Sequence, residues 1–297
     1  MNNIIQTNVL PSPFDARDRI SALISVPTPV EVDLKPFVYE VEDQRSFGSC
    51  TANAGCSALE LLYKKIGKPV DLSRLYLYFY TRQLGGITTD IGAYPRDIGK
   101  ALLTYGVPQE KLWDYSQNNL NLHPTPEIDL QASKFKIVSY EQIVGNKLSQ
   151  IKNALAQDIP VLLTIFIHDS FSRLSGPWKT HSWDYTTTLA NPIRGGHEIL
   201  IIGYDDVSQR LLVENSWGST WGDGGFFGIP YAMCESESFG ELWTLTPNYD
   251  IDFEHDILPP TPIIPVIVED KSNVVRNVAI VFVIFLAIMV INSIQHV

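Results

Sequence analysis

Cys50 closes the triplet Gly48-Ser49-Cys50 and opens a helix-patterned run, CTANAGCSALELL, with Gln44 six residues before it. A thiol attacks a carbonyl as its thiolate. The start of a helix favours negative charge, and an amide nearby can donate to the oxyanion that forms. Such a nucleophile needs a base. Of six histidines, His197 differs from the rest because it follows Gly195 and Gly196 and opens the apolar run EILIIGYDD. A histidine entering a buried strand after two glycines is placed to face a cleft. Asn215, in VENSWGSTWGDGGFFGIPY, can fix the imidazole's orientation. Trp217 can keep water from that contact, and a shielded hydrogen bond is worth more than an exposed one. A lone cysteine is by default a small buried hydrophobe. Cys56 and Cys234 keep that reading. His123, His168, His181, His255 and His296 carry no supporting motif and read as solvated or packed.

The elements that must position these groups follow from periodicity. Helices are predicted over Cys50–Ile66, Ser73–Leu84, Arg96–Tyr105 and Lys147–Gln157. The first places Ala54, Ala58, Leu61 and Leu62 on one face, with Gly67 as its stop. Strands are predicted over Val161–Ile167, His197–Tyr204, Leu211–Ser216, Gly225–Ile229 and Leu242–Leu245. Helices first and strands later give an α+β protein of two unlike lobes. Lobes of that kind meet in a cleft, where active sites are common.

The chain has 297 residues, enough for a sizeable core, and a net charge of −11. That balance argues against nucleic acid as a partner. Three cysteines do not make a disulfide framework, and no Asn-x-Ser/Thr acceptor occurs. Both features fit a catalytic domain facing a reducing compartment. No metal or cofactor is expected.

Four stretches can be separated: an irregular, proline-bearing segment at 1–30, a globular domain at 31–246, a Pro-rich acidic linker at 247–273, and an apolar tail at 274–297. The N-terminus lacks the basic start and apolar core of a secretory signal. The tail holds a 14-residue run without a polar residue, Val278 to Ile291. Spanning takes about 20 residues, a length reached by extending the run to Val297. A packed core helix is the alternative. A terminal helix apolar on every face nevertheless finds its natural surroundings in lipid. With Lys271 and Arg276 before it and no positive charge after, the positive-inside rule leaves the bulk of the chain on the cytosolic side of a membrane.

Together GSC at 48–50, GGH at 195–197 and NSWG at 215–218 resemble the papain-like cysteine peptidases, in that family's order and over roughly residues 31–246. His197 lies 147 residues after Cys50 and Asn215 lies 165 after it, against the family's spacing of about 130–150. NSWGSTWGDGGFF is the most specific piece. The resemblance implies a two-lobed fold, a helical lobe and a β-barrel-like lobe with the active site between them. It also implies roles. Cys50 is the nucleophile, His197 base and then acid, Asn215 its orienter, Gln44 the oxyanion donor with the Cys50 backbone N–H, and Trp217 the shield. In GAYP at 92–95, Gly92, Tyr94 and Pro95 match the family's substrate-lining segment. Protein or peptide substrates are implied.

Departures accompany the match. Phe47 stands where the family has a cysteine, and that cysteine's disulfide partner would fall near Asp90. Thr51 replaces a tryptophan. The form DQxxxGSCTANA resembles a divergent branch found in bacteria and large DNA viruses. About 30 residues precede VDLKPF, too few for the family's long helical pro-segment, so a classical pro-domain is not the expected means of control. Besides a membrane-tethered thiol endopeptidase, two readings stay open: a papain-like fold kept as a binding or structural module, and acyl transfer by the same thiol.

Overall fold

The computed structural model describes residues 9–251, apart from Ser182, Asp184, Thr187, Leu189 and Ala190. The predicted membrane anchor at 274–297, most of the linker before it and the first eight residues lie outside the described residues. Among the described residues no helix is long and apolar enough to cross a membrane.

The helical half is built on α1 (Cys50–Lys65), α2 (Arg74–Leu84) and α3 (Pro95–Thr104). Helix α1 is buried from Cys50 to Tyr63 on every side, not on one face as its pattern suggested. It packs against α2, α3 and the sheet, so no side is left to solvent. Small residues at Ala52, Ala54, Gly55 and Ala58 permit that approach. Gly67, at φ +76°, ends the helix as predicted, and Lys68 N–H closes the turn on the Tyr63 carbonyl at 2.9 Å. The Ser73 hydroxyl caps α2 by accepting from Tyr76 N–H. Pro95 occupies the first turn of α3, where its missing N–H is harmless.

The other half is an antiparallel sheet of seven strands among the described residues: β1 (Glu31–Asp33), β2 (Ile137–Gln142), β3 (Val161–His168), β4 (Ile193–Asp205), β5 (Arg210–Glu214), β6 (Phe226–Pro230) and β7 (Phe239–Pro247). Its order is β2-β7-β3-β4-β5-β6, with β1 added on the far end of β4. Two short helices, α4 (Pro126–Ala132) and α5 (Lys147–Ala156), complete the set. The sequence pattern misses β2 because only Ile137 in it is buried, so no alternation shows. It misses α4 for the same reason, with Ala132 its one buried residue. The fold is the papain-like α+β arrangement that the sequence led us to expect.

Residues 9–30 hold no helix and no named strand, yet they are bound along the body. Ser12 N–H donates to Glu241 Oε1 at 2.6 Å, and Arg96 reaches the Pro13 carbonyl and Asp18. Ser21 and Arg19 exchange backbone bonds with Gln142 at 2.8 Å. Asn153 accepts from Val26 N–H at 2.9 Å, and Tyr204 donates to the Pro29 carbonyl at 2.7 Å. At the other end, Tyr249 stacks edge-on against Tyr63, 6.2 Å between centroids.

Candidate active site

Cys50 is the first residue of α1 and is fully buried. His197 lies in β4 opposite Ile165 of β3, also fully buried. Asn215 follows the end of β5 and is held by its N–H on the Gly225 carbonyl at 3.0 Å. His197 Nε2 and Asn215 Oδ1 are 2.7 Å apart. The same Oδ1 accepts from Ser216 N–H at 2.9 Å, which identifies it as the carbonyl oxygen of the amide. Nε2 must therefore carry the hydrogen, leaving Nδ1 as the basic nitrogen. Among the described residues that buried Nδ1 has no hydrogen-bond partner.

Burial pushes the Cys50 thiol up to about 12, opposed by the backbone N–H of Glu198, next to His197. That amide brings the thiol against the histidine's own stretch of β4. Burial lowers His197 to about 4, opposed by its bond to Asn215. In this closed arrangement burial favours the thiol at Cys50 and the neutral imidazole at His197.

Gln44 is zipped to the asparagine segment. Its backbone N–H donates to the Ser216 carbonyl at 2.8 Å, and its Oε1 accepts from the Ser216 hydroxyl at 2.7 Å. Its Nε2 donates to the Phe47 carbonyl at 2.9 Å. Trp217 stacks at a tilt on His197, 5.1 Å between centroids. Phe171 touches Trp217, Trp221, Trp183 and Phe227 at 5.0–5.3 Å, making an aromatic cluster around the His197–Asn215 contact. Of these rings only Trp217 was singled out from the sequence, because Phe171 and Trp183 come from the irregular 168–194 stretch.

Gly92, Tyr94 and Pro95 line the edge of the helical half. Gly92 N–H is bonded to the Tyr78 hydroxyl at 3.1 Å, and the half-buried Tyr94 ring lies over Gly85. The neighbouring Ala93 carbonyl accepts from Leu10 N–H at 3.4 Å, while the Gly196 carbonyl accepts from Val9 N–H at 3.0 Å. The N-terminal segment thus crosses from the Gly92–Pro95 edge of one half to the residue beside His197 in the other. Val9 is buried, and a Cβ at Gly196 would sit 2.6 Å from its carbonyl oxygen. The double glycine before the histidine makes room for a backbone here. Proline content hid this crossing, since an irregular segment gives no periodic signal. Tyr115 was also missed. Its hydroxyl donates to the Gln44 carbonyl at 3.0 Å and meets the Ser49 hydroxyl, so it braces both sides of the turn before Cys50.

The model of the papain family cysteine proteases matches residues 26–239. The chain belongs to the papain family of cysteine proteases. Among relatives of this family, a peptidase C1-like protein of Acanthamoeba polyphaga mimivirus is 30% identical over 214 residues, 68% of each chain. Pro-cathepsin H of Medicago truncatula is 29% identical over 217 residues, and the match spans 58% of its length. Xylellain, a cysteine protease from Xylella fastidiosa, superposes with a TM-score of 0.72 at 25% identity, covering 82% of this chain and 97% of its own. Procathepsin L 3 of Tenebrio molitor shares the fold at 20% identity and a TM-score of 0.65, over 82% of this chain and 77% of its own.

Proposed function

We propose that this chain is a thiol endopeptidase that cleaves protein or peptide substrates through a Cys50 acyl-enzyme and is held at a membrane by its C-terminal apolar run. The observation that carries the catalytic half is the 2.7 Å contact of His197 Nε2 with Asn215, because it leaves Nδ1 as base. His197 Nδ1 takes the Cys50 proton, and the thiolate adds to the scissile carbonyl carbon. The Gln44 side-chain amide and the Cys50 backbone N–H stabilise the oxyanion. As the intermediate collapses, the C–N bond breaks and the imidazolium gives its proton to the leaving amine. Water, deprotonated by His197, then adds to the thioester, and the acid departs as Cys50 is restored. Gly92, Tyr94 and Pro95 border the substrate. Val9 and Leu10 lie across that path, so turnover requires the segment to withdraw. The form DQxxxGSC and the mimivirus relative support a place in the divergent branch.

Labelling with an epoxysuccinyl peptide under reducing conditions tests the catalytic half. Wild-type protein should be labelled at Cys50 between pH 5 and 8, and a Cys50→Ala variant should not; absence of wild-type labelling rejects the reading. The unbroken apolar run Val278 to Ile291, with Lys271 and Arg276 before it, supports the tether and a cytosolic catalytic domain. Full-length protein should stay with membranes through carbonate extraction, and deletion of residues 274–297 should release it. A full-length chain found in the soluble fraction would exclude the tether.

A further inference from the structure

The loop that carries the nucleophile is gripped at one peptide unit, Phe47–Gly48. Its carbonyl accepts from Gln44 Nε2 at 2.9 Å, and its N–H donates to Asp90 Oδ1 at 2.9 Å. The same Asp90 oxygen accepts from the Tyr78 hydroxyl at 2.7 Å, and that hydroxyl accepts from Gly92 N–H at 3.1 Å. Tyr78, in α2, is fully buried, and burial together with the Asp90 carboxylate keeps its phenol protonated and therefore a donor. A Cβ at position 48 would lie 2.9 Å from Gly92 N, 3.0 Å from the Tyr78 hydroxyl and 3.1 Å from Asp90 Oδ1, so these groups close around Gly48 with no space left. Phe47 packs its ring on Tyr115, 5.3 Å between centroids.

We propose that Asp90 is a positioning residue for peptide hydrolysis: its carboxylate fixes the Phe47–Gly48 peptide, which aims the Gln44 amide and the Cys50 N–H, and through Tyr78 it holds the Gly92 edge of the substrate path. This rests on the endopeptidase reading above and deepens it. A planar peptide has one orientation once both ends are bound. Released at its N–H, the Phe47–Gly48 plane can rotate and take the Gln44 amide with it. Oxyanion donors act through preorganisation, so a small rotation is felt in turnover more than in folding. The clamp consists of hydrogen bonds and needs no oxidising surroundings, in keeping with the three free cysteines.

The test compares Asp90→Ala, Asp90→Asn and Tyr78→Phe in the full chain. Three readouts are used: peptide hydrolysis, affinity for a peptide aldehyde, and the rate of Cys50 alkylation by iodoacetamide. The aldehyde's adduct oxygen occupies the oxyanion position, whereas alkylation needs the thiolate and no oxyanion donor. Asp90→Ala should lower kcat and aldehyde affinity about 10- to 100-fold, with alkylation within about threefold of wild type. Asp90→Asn keeps an oxygen that can accept both bonds and should restore kcat to within about fivefold. Tyr78→Phe leaves the Gly48 bond in place and should raise KM more than it lowers kcat. Wild-type kcat and aldehyde affinity in Asp90→Ala, or equal losses in hydrolysis and alkylation, would overturn the proposal while leaving the endopeptidase reading standing. A wild-type chain that neither hydrolyses peptides nor binds the aldehyde would remove both.

Discussion

Gln44 has its side chain committed on two sides, with Oε1 accepting from Ser216 and one Nε2 hydrogen donated to the Phe47 carbonyl. Those bonds set the plane of the amide before any substrate arrives, which is the condition under which a donor stabilises developing charge without reorganising. Gln44→Ala is expected to lower kcat about 10²- to 10³-fold, while iodoacetamide still alkylates Cys50 at close to the wild-type rate. Equal losses in both would mean that Gln44 supports the thiolate and not the oxyanion. At this scale the sequence was highly legible. Cys50, His197, Asn215 and Trp217 sit in runs whose wording is almost their whole description. What could not be read were partners defined by folding: the Phe47 carbonyl, the Ser216 hydroxyl, and Asp90, which lies 42 residues from Gly48 in the chain. Backbone groups leave no trace in residue identity, and a carboxylate on an irregular loop looks like any solvated acid.

Among the elements, the long regular ones were legible because their burial is periodic or continuous. Helices α1, α2, α3 and α5 and strands β3 to β7 appear within a few residues of the ranges that patterning gave. The N-terminal segment was not legible, since its contacts are made by backbone groups in a proline-bearing stretch. Its position has a chemical consequence. With Val9 and Leu10 bridging Gly196 and Ala93, His197 is sealed from water and burial holds it near 4. Withdrawal of the segment would hydrate the imidazole and let its pKa return toward the usual value near 6.5. Val9→Asp places a charge at a buried position beside the histidine, and charge is strongly disfavoured there. The variant should release the segment and speed epoxysuccinyl labelling of Cys50 at pH 7 by at least about 10-fold, since the thiolate–imidazolium pair then forms more readily. A labelling rate at or below that of wild type would show that the segment does not limit access.

Over the whole molecule, the net charge of −11 includes carboxyl groups buried where the two halves meet. Glu42, Glu198 and Glu214 line one small cavity with Ser57 and Asn215. Glu214 is pushed up to about 8, by burial first; the Ser57 hydroxyl bond at 2.7 Å opposes the shift and nearby Glu42 adds to it. Burial raises Glu42 to about 7 despite its ion pair with Arg74, which also binds Glu110. Glu60 in α1 and Glu198 in β4 are raised as well, both by burial. Burial therefore favours the protonated form of Glu60, Glu198 and Glu214, while the Arg74 guanidinium opposes that trend at Glu42. Below about pH 4.5 the folded and unfolded chains both hold the Glu214 proton, and its contribution to stability is fully present. As pH rises from there to about 8, the unfolded chain has released that proton and the folded chain still keeps it, so stability falls by up to about 1.4 kcal/mol per pH unit for such a group. Glu214→Gln keeps an acceptor for Ser57 and removes the ionisation. Its melting temperature should match wild type near pH 4.5 and exceed it at pH 8, by about 2–4 °C for each kcal/mol recovered. Thermal melts of the two proteins across pH 4.5 to 8.5 decide the matter. Curves that run parallel over that range would show that Glu214 is already ionised in the folded protein.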